Sequence, residues 1–252
     1  MLAEKRQEII LQMLEKKGSV TLQELREYFH ASESTVRRDL NALAAREALI
    51  KVFGGALRRG DGMENRDVVV SERRELHAQE KERIGRYAAA LIGPEDFVFL
   101  DAGTTTGAML PYLTEKSAVF VTNGVSHALR LSEGGFRVIL IGGELKAATE
   151  AAVGNEACEN LKKYNFTIGF FGANGVSPRT GFSTPDVSEA ITKKCAAERT
   201  GRPYVLCDSS KFSRVSPVSF AGFTDACVIT ERLPSEEYRQ YKNVIYLEEK
   251  KE

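Results

Sequence analysis

The chain has 252 residues, 42% of them hydrophobic and 28% charged, with 35 Lys and Arg against 35 Asp and Glu. That length suits a large domain joined to a small one, and that composition excludes a disordered or fibrous chain. No apolar run reaches the ~18 residues of a membrane span, and MLAEKRQEII at the N-terminus lacks the apolar stretch of a signal peptide, so a cytoplasmic protein with no membrane partner is expected.

Residues 1–60 carry 11 basic side chains against 8 acidic, and the remainder 24 against 27. A mildly basic head on a mildly acidic body fits a DNA-reading module on a sensor. Ile9, Ile10, Met13 and Leu14 place an apolar stripe on a first helix, which Gly18 ends. Thr21 and Glu24 form a capping box flanked by the Val20 and Leu25 staple, so a second helix starts at Thr21.

Only His30 and Ala31 precede Ser32, the N-cap of a third helix in which Val36, Leu40 and Leu43 recur on one face. Two helices joined by so short a turn read as a helix-turn-helix. Its outward residues Ser32, Ser34, Thr35, Arg37, Arg38 and Asn41 are the candidate DNA contacts. Arg grips guanine O6 and N7 with two hydrogen bonds, while short hydroxyls and Asn reach phosphates or base edges. On an ordinary solvated helix the two arginines would instead bridge to Glu33 or Asp39. Leu49–Phe53 and Ala56–Leu57, folded about Gly54-Gly55, predict a small wing that brings Lys51 and Arg58 to the DNA backbone. The winged helix-turn-helix spans residues 1–57, a linker residues 58–70 and an effector domain residues 71–252.

In the body, a helix is predicted from Ser71 to Ile92, stopped by Pro94. Seven apolar runs follow: Phe97–Leu100, Ala118–Val121, Val138–Ile141, Phe166–Phe171, Tyr204–Leu206, Ala226–Ile229 and Val244–Leu247. Near-continuous apolar strands between helical stretches indicate an α/β fold with a largely parallel sheet. Such sheets bind ligands beyond the carboxyl ends of their strands. The first such loop, Asp101-Ala102-Gly103-Thr104-Thr105-Thr106-Gly107, offers hydroxyls and free N–H groups to an anion, and is neither a Walker A loop nor G-x-G-x-x-G. Asn123, Asn174 and Lys211 sit in later strand-end loops, with Lys211 the candidate to complete a phosphate site. Asp186 and Glu189, one helical turn apart, either accept bonds from sugar hydroxyls or merely cap a helix. Four cysteines, none in a CxxC pair, predict buried reduced thiols and no metal.

STVRRDLNAL followed by LIKVFGGA resembles the DeoR family of bacterial regulators, with Glu47 and Phe53 standing where the family usually has Gly and His. LDAGTTT, VTNG, IGGEL, GNEA, GANGVS, GFSTPD and DSSKF are similar to its effector domain. The resemblance implies a fold like ribose-5-phosphate isomerase and glucosamine-6-phosphate deaminase, used to sense a phosphorylated sugar, with no cofactor. It also implies a repressor of a sugar-utilisation operon that binds double-stranded operator DNA as a homo-oligomer. GFSTPDVSEA is most similar to the fructose operon repressor branch, which implies fructose 1-phosphate as effector.

The rival is a working isomerase or deaminase with a fused DNA-binding head. Related isomerases carry two acids in a DGADE-like turn; here Phe171 and Asn174 stand in their places, which favours binding without turnover. A metal- or redox-responsive regulator would need clustered Cys and His, and His30, His77 and His127 lie far apart.

Overall fold

Ile10, Leu14, Val20, Leu25, Val36, Leu40, Leu43, Leu49 and Ala56 close one small core in the first of two units, Met1–Met63 and Glu64–Glu252. The computed structural model describes residues 3–17, 19–46, 48–52, 55–58 and 70–247. In the first unit α1 (Ala3–Lys17), α2 (Leu22–Phe29) and α3 (Glu33–Ala45) pack with strands β1 (Ser19–Thr21), β2 (Leu49–Val52) and β3 (Gly55–Arg58). The three strands form an antiparallel sheet in the order β1-β3-β2. β1 was not anticipated: three residues between helices carry no period of their own, and the strand exists because β3 offers it an edge. The α2–α3 turn holds His30 at φ 48°, a left-handed conformation that ends α2 sharply.

In the second unit the long helix expected from Ser71 is broken. α4 (Val70–Glu75) and α5 (Ala78–Ala89) are separated at His77, whose φ of 54° takes it out of the helical region. The linker expected over residues 58–70 lies mostly outside the described residues. Then follow β4 (Phe97–Leu100), α6 (Thr104–Gly107), β5 (Val119–Thr122), α7 (Val125–Glu133) and β6 (Arg137–Leu140). A hairpin of β7 (Glu144–Lys146) and β8 (Ala151–Val153) leads into α8 (Asn155–Leu161) and β9 (Phe166–Gly172). Next come β10 (Gly175–Ser177), β11 (Gly181–Thr184), α9 (Val187–Ala197), β12 (Thr200–Leu206), β13 (Val218–Ala221), β14 (Cys227–Thr230) and β15 (Val244–Tyr246).

The seven apolar runs are the seven strands of the main sheet, ordered β15-β14-β12-β9-β4-β5-β6, with every pairing parallel. One face packs on α8 and α9 through Phe99, Val121, Phe166, Phe171 and Leu161. The other packs on α5 and α7 through Ile84, Ala88, Leu100, Phe120, Leu131 and Phe170. β4, β5, β9 and β14 are buried along most of their length, which is why they read as unbroken apolar runs, while the edge strand β6 is half-exposed. The chain leaves β4 outward through β5 and β6, then returns to the other side of β4 as β9. That reversal puts the topological switch point between β4 and β9.

The cysteines depart from expectation. Cys158 on α8 and Cys195 on α9 are joined in a disulfide, their Cα atoms 5.7 Å apart. They are 37 residues apart in sequence, so only the packing of α8 on α9 reveals the pair. Cys207 is buried, and burial pushes its thiol pKa well above the usual range, so it stays protonated and unreactive.

Candidate DNA-reading helix and effector crevice

Ser32 caps α3, its hydroxyl accepting from Thr35 N at 3.3 Å and lying 2.9 Å from both the Ser34 and Thr35 hydroxyls. Val36, Leu40 and Leu43 turn inward, which leaves Ser34, Arg37, Arg38 and Asn41 exposed and Thr35 half-buried. The two arginines differ. Arg37 pairs with Glu33 at 2.7 Å, and Glu33 also lies 3.8 Å from Arg26. Arg38 is exposed and has no partner among the described residues. Asp39, one of the partners considered for them, is 3% exposed and taken by Arg6, whose Nε and Nη2 donate to its two oxygens at 2.7 and 3.2 Å. This buried pair ties α1 to α3 and steadies the reading helix. The side chains of Lys51 and Arg58 lie outside the described residues.

In the second unit the switch point brings the β4 and β9 loops into contact. A Cβ built on Gly103 would stand 3.5 Å from the Gly172 Cα, and one on Gly172 3.6 Å from the Gly103 Cα, so the two loops meet backbone to backbone. Asp101, 2% exposed, accepts from Gly172 N at 2.9 Å and from Lys193 on α9, itself 7% exposed. A buried carboxylate and a buried ammonium thus neutralise each other at the floor of the crevice. Thr106 is fully buried and donates to the carbonyls of Asp101 and Gly103; Thr105 is 8% exposed. Asn123 accepts from Ala102 N at 3.0 Å and donates to the Ala152 carbonyl at 3.3 Å. Asp101, Thr106 and Asn123, expected as ligand contacts, therefore have their polar atoms engaged in holding the loops.

Two clusters surround this floor. The first gathers Asn174, Thr184, Asp186 and Glu189. The Thr184 hydroxyl lies 3.3 Å from Asn174 Oδ1 and 3.1 Å from Glu189 Oε2, and Asp186 caps α9 by accepting from Glu189 N at 2.9 Å. Lys146, at the end of β7, reaches Asp186 at 3.1 Å and Glu189 at 3.2 Å. Burial pushes the Asp186 carboxyl up, but the Glu189 N–H and Lys146 outweigh it and hold the group below the usual carboxylate range.

The second cluster is a pocket of about 190 Å³ beside Gly103 and Thr104, lined also by Arg74, Lys81, Ser126, His127, Arg130 and Thr149. At ~30 Å³ per water, it holds about six waters or a solvated phosphoryl group. Burial drives the His127 pKa down to about 4, so the ring is neutral at pH 7, and its Nε2 bonds the Gly103 carbonyl at 3.1 Å. With a carbonyl as partner, Nε2 is the protonated nitrogen.

Lys211 does not line this pocket. It follows β12, with β9 between it and β4, whereas the pocket opens toward α7, which follows β5. Arg74, Lys81, Arg130, Lys146, Thr149 and Lys193 escaped the sequence reading. Arg130 alone had a visible signal, lying two helical turns past the Asn123-Gly124 loop; Arg74 and Lys81 were hidden in a charged run read as one helix.

A reading helix on one unit and a strand-end crevice on the other define a helix-turn-helix regulator with a ligand-binding α/β domain. Residues 6–59 match the DeoR-like helix-turn-helix domain and residues 76–232 the DeoR C terminal sensor domain. The chain belongs to the DeoR family of transcriptional regulators. It is 38% identical over 244 residues to the HTH-type transcriptional regulator FruR of Bacillus subtilis (strain 168), covering 95% of this chain and 96% of that one. It is 34% identical to IolR of the same organism over 90% of each chain. It is 31% identical to the lactose phosphotransferase system repressor of Staphylococcus aureus (strain N315), over 90% of this chain and 91% of the other. Among solved structures, a D-ribose-5-phosphate isomerase in complex with phospho-erythronic acid is 16% identical with a TM-score of 0.40, over 54% of each chain. A likeness of that extent carries neither ligand nor activity across.

Proposed function

We propose that this protein represses a sugar-utilisation operon and that a phosphorylated sugar in the crevice sets its affinity for operator DNA. The observation that carries the reading is the pocket beside Gly103 and Thr104. Three cationic side chains, Arg74, Lys81 and Arg130, line it, on a chain that also bears a DNA-reading helix. Oxygens of a phosphate need several positive donors at once, and arginines supply them in a planar fork. The helix N-terminus adds little, since α6 is one turn long. The Asn174, Thr184, Asp186 and Glu189 cluster supplies acceptors for sugar hydroxyls. The repressor named among the relatives supports the sign, and fructose 1-phosphate is the first effector to try. Two heads on a symmetric homo-oligomer, acting in the cytoplasm, would read two operator half-sites.

Turnover is not part of this reading. Glu189 is held by Lys146 and Thr184, and Lys193 is held by Asp101. Melting the full-length protein against a panel of phosphorylated sugars tests it. A ligand at 100 times its Kd stabilises by about 2.7 kcal/mol. The same sugar should change the affinity for an operator selected from random duplex DNA. Arg130→Ala should abolish the stabilisation while Lys211→Ala leaves it. No stabilisation by any phosphosugar, or product formed from one, overturns the reading.

A further inference from the structure

Thr149 and Glu150 stand side by side on the β7–β8 hairpin, at the edge of the cationic pocket. Thr149 is 6% exposed and lines the pocket, and its buried hydroxyl oxygen has no hydrogen-bond partner among the described residues. A buried hydroxyl that is left unbonded can take an acceptor brought into the pocket that Thr149 lines. Glu150 sits at φ 54°, a conformation that glutamate rarely adopts. It is kept there by its neighbours: its carbonyl accepts from Val125 N at 2.9 Å, and Ala151 bridges to Gly124. This backbone turns the Glu150 carboxylate to Arg74 on α4, at 3.5 Å, while Arg74 also reaches the Ser126 hydroxyl at 3.4 Å. The Glu150 oxygen that faces Arg74, Oε2, is buried and has no hydrogen bond among the described residues, so the ion pair does not satisfy it.

We propose that Thr149 and Glu150 report occupancy of the pocket: Thr149 donates its hydroxyl to a bound phosphoryl oxygen, and Glu150 yields Arg74 to that group. The inference rests on the pocket's being the phosphate site. Glu150 is then a resident competitor, a carboxylate occupying the arginine that the incoming anion needs. Strained backbone at such a point holds the carboxylate where a better acceptor can displace it. The consequence falls on α4, the first helix after the head in chain order, because the partner of Arg74 changes with occupancy. A ligand shifts an equilibrium only by what it binds differently in the two states. Here that difference is one arginine with two possible anions.

Binding of inorganic phosphate to the full-length protein, followed by calorimetry, tests this. Thr149→Val should weaken phosphate at least tenfold with its ligand-free melting temperature unchanged, and Thr149→Ser should restore it. Glu150→Gln should tighten phosphate at least threefold, and that gain should vanish in an Arg74→Ala background, since freeing Arg74 is its cause. A gain that persists without Arg74 reduces Glu150 to general repulsion and overturns the competition. Unchanged affinity in both single variants, with Arg130→Ala still losing phosphate, sinks the proposal and keeps the pocket. Arg130→Ala binding as the native protein does would remove the pocket itself.

Discussion

The two units use their polar residues in opposite ways. On α3 the side chains that spacing predicts to face outward are exposed apart from the half-buried Thr35, and Arg37 is drawn into an ion pair with Glu33. In the crevice the polar residues that a strand-end loop displays are mostly committed to the protein: Asp101 to Lys193, Thr106 to carbonyls, Asn123 to two backbone groups. A reading helix is a local object whose one face turns outward by construction. A crevice is assembled from elements up to 92 residues apart, and most of its polarity goes into holding them together.

If that contrast is right, the crevice should fail by unfolding and the helix by losing DNA. The largest effect is expected at Lys193. Lys193→Met leaves Asp101 charged and buried without its cation, a loss of about 3–5 kcal/mol in urea unfolding. Adding Asp101→Asn should recover much of it. A single variant as stable as the native protein would show that the pair is solvated in practice.

His127 sharpens the same point with pH. Its pKa of about 4 in the folded protein lies below the ordinary 6.5, so protonation favours unfolding. The contribution is complete above pH 6.5, declines as pH falls, and is fully lost near pH 4. The whole span is about 3 kcal/mol, of which about 2 kcal/mol is gone at pH 5. His127→Gln should lack this slope in unfolding measured between pH 7 and pH 5. An equal slope in both proteins would place the titration elsewhere.

What the sequence made legible follows the same line. The strands of the parallel sheet announce themselves as apolar runs, and all seven are legible in the sequence. The three-residue pieces β1, β7, β8 and β10 have no length in which a period can show. The break at His77 depends on a left-handed conformation that histidine seldom takes, so nothing in RELHAQEK marks it. Losing that break hid Arg74 and Lys81 on separate helices that converge on one pocket. The sequence pointed to the Gly103–Thr104 loop, but the cations beside it come from α4, α5 and α7 rather than from Lys211. Packing chose among basic residues that composition cannot rank.

The smallest effect is expected at Arg37, and it decides which arginine reads DNA. Arg38 has no partner to give up among the described residues, so its guanidinium is available to a base edge. Arg38→Ala should cost about 2 kcal/mol, roughly thirtyfold in operator affinity, with selectivity lost at one base pair. Arg37 must leave Glu33 before it can contact DNA, and an exposed pair of this kind is worth about 0–1 kcal/mol. Arg37→Ala should therefore weaken operator and random DNA alike, by only a few fold, as loss of a phosphate contact does. Glu33→Gln should strengthen both by a similar factor. Binding measured on the operator and on single-base variants at fixed salt separates the two roles. If Arg37→Ala is the variant that loses base selectivity, the ion pair with Glu33 positions the reader rather than restraining it, and the assignment of the two arginines is reversed.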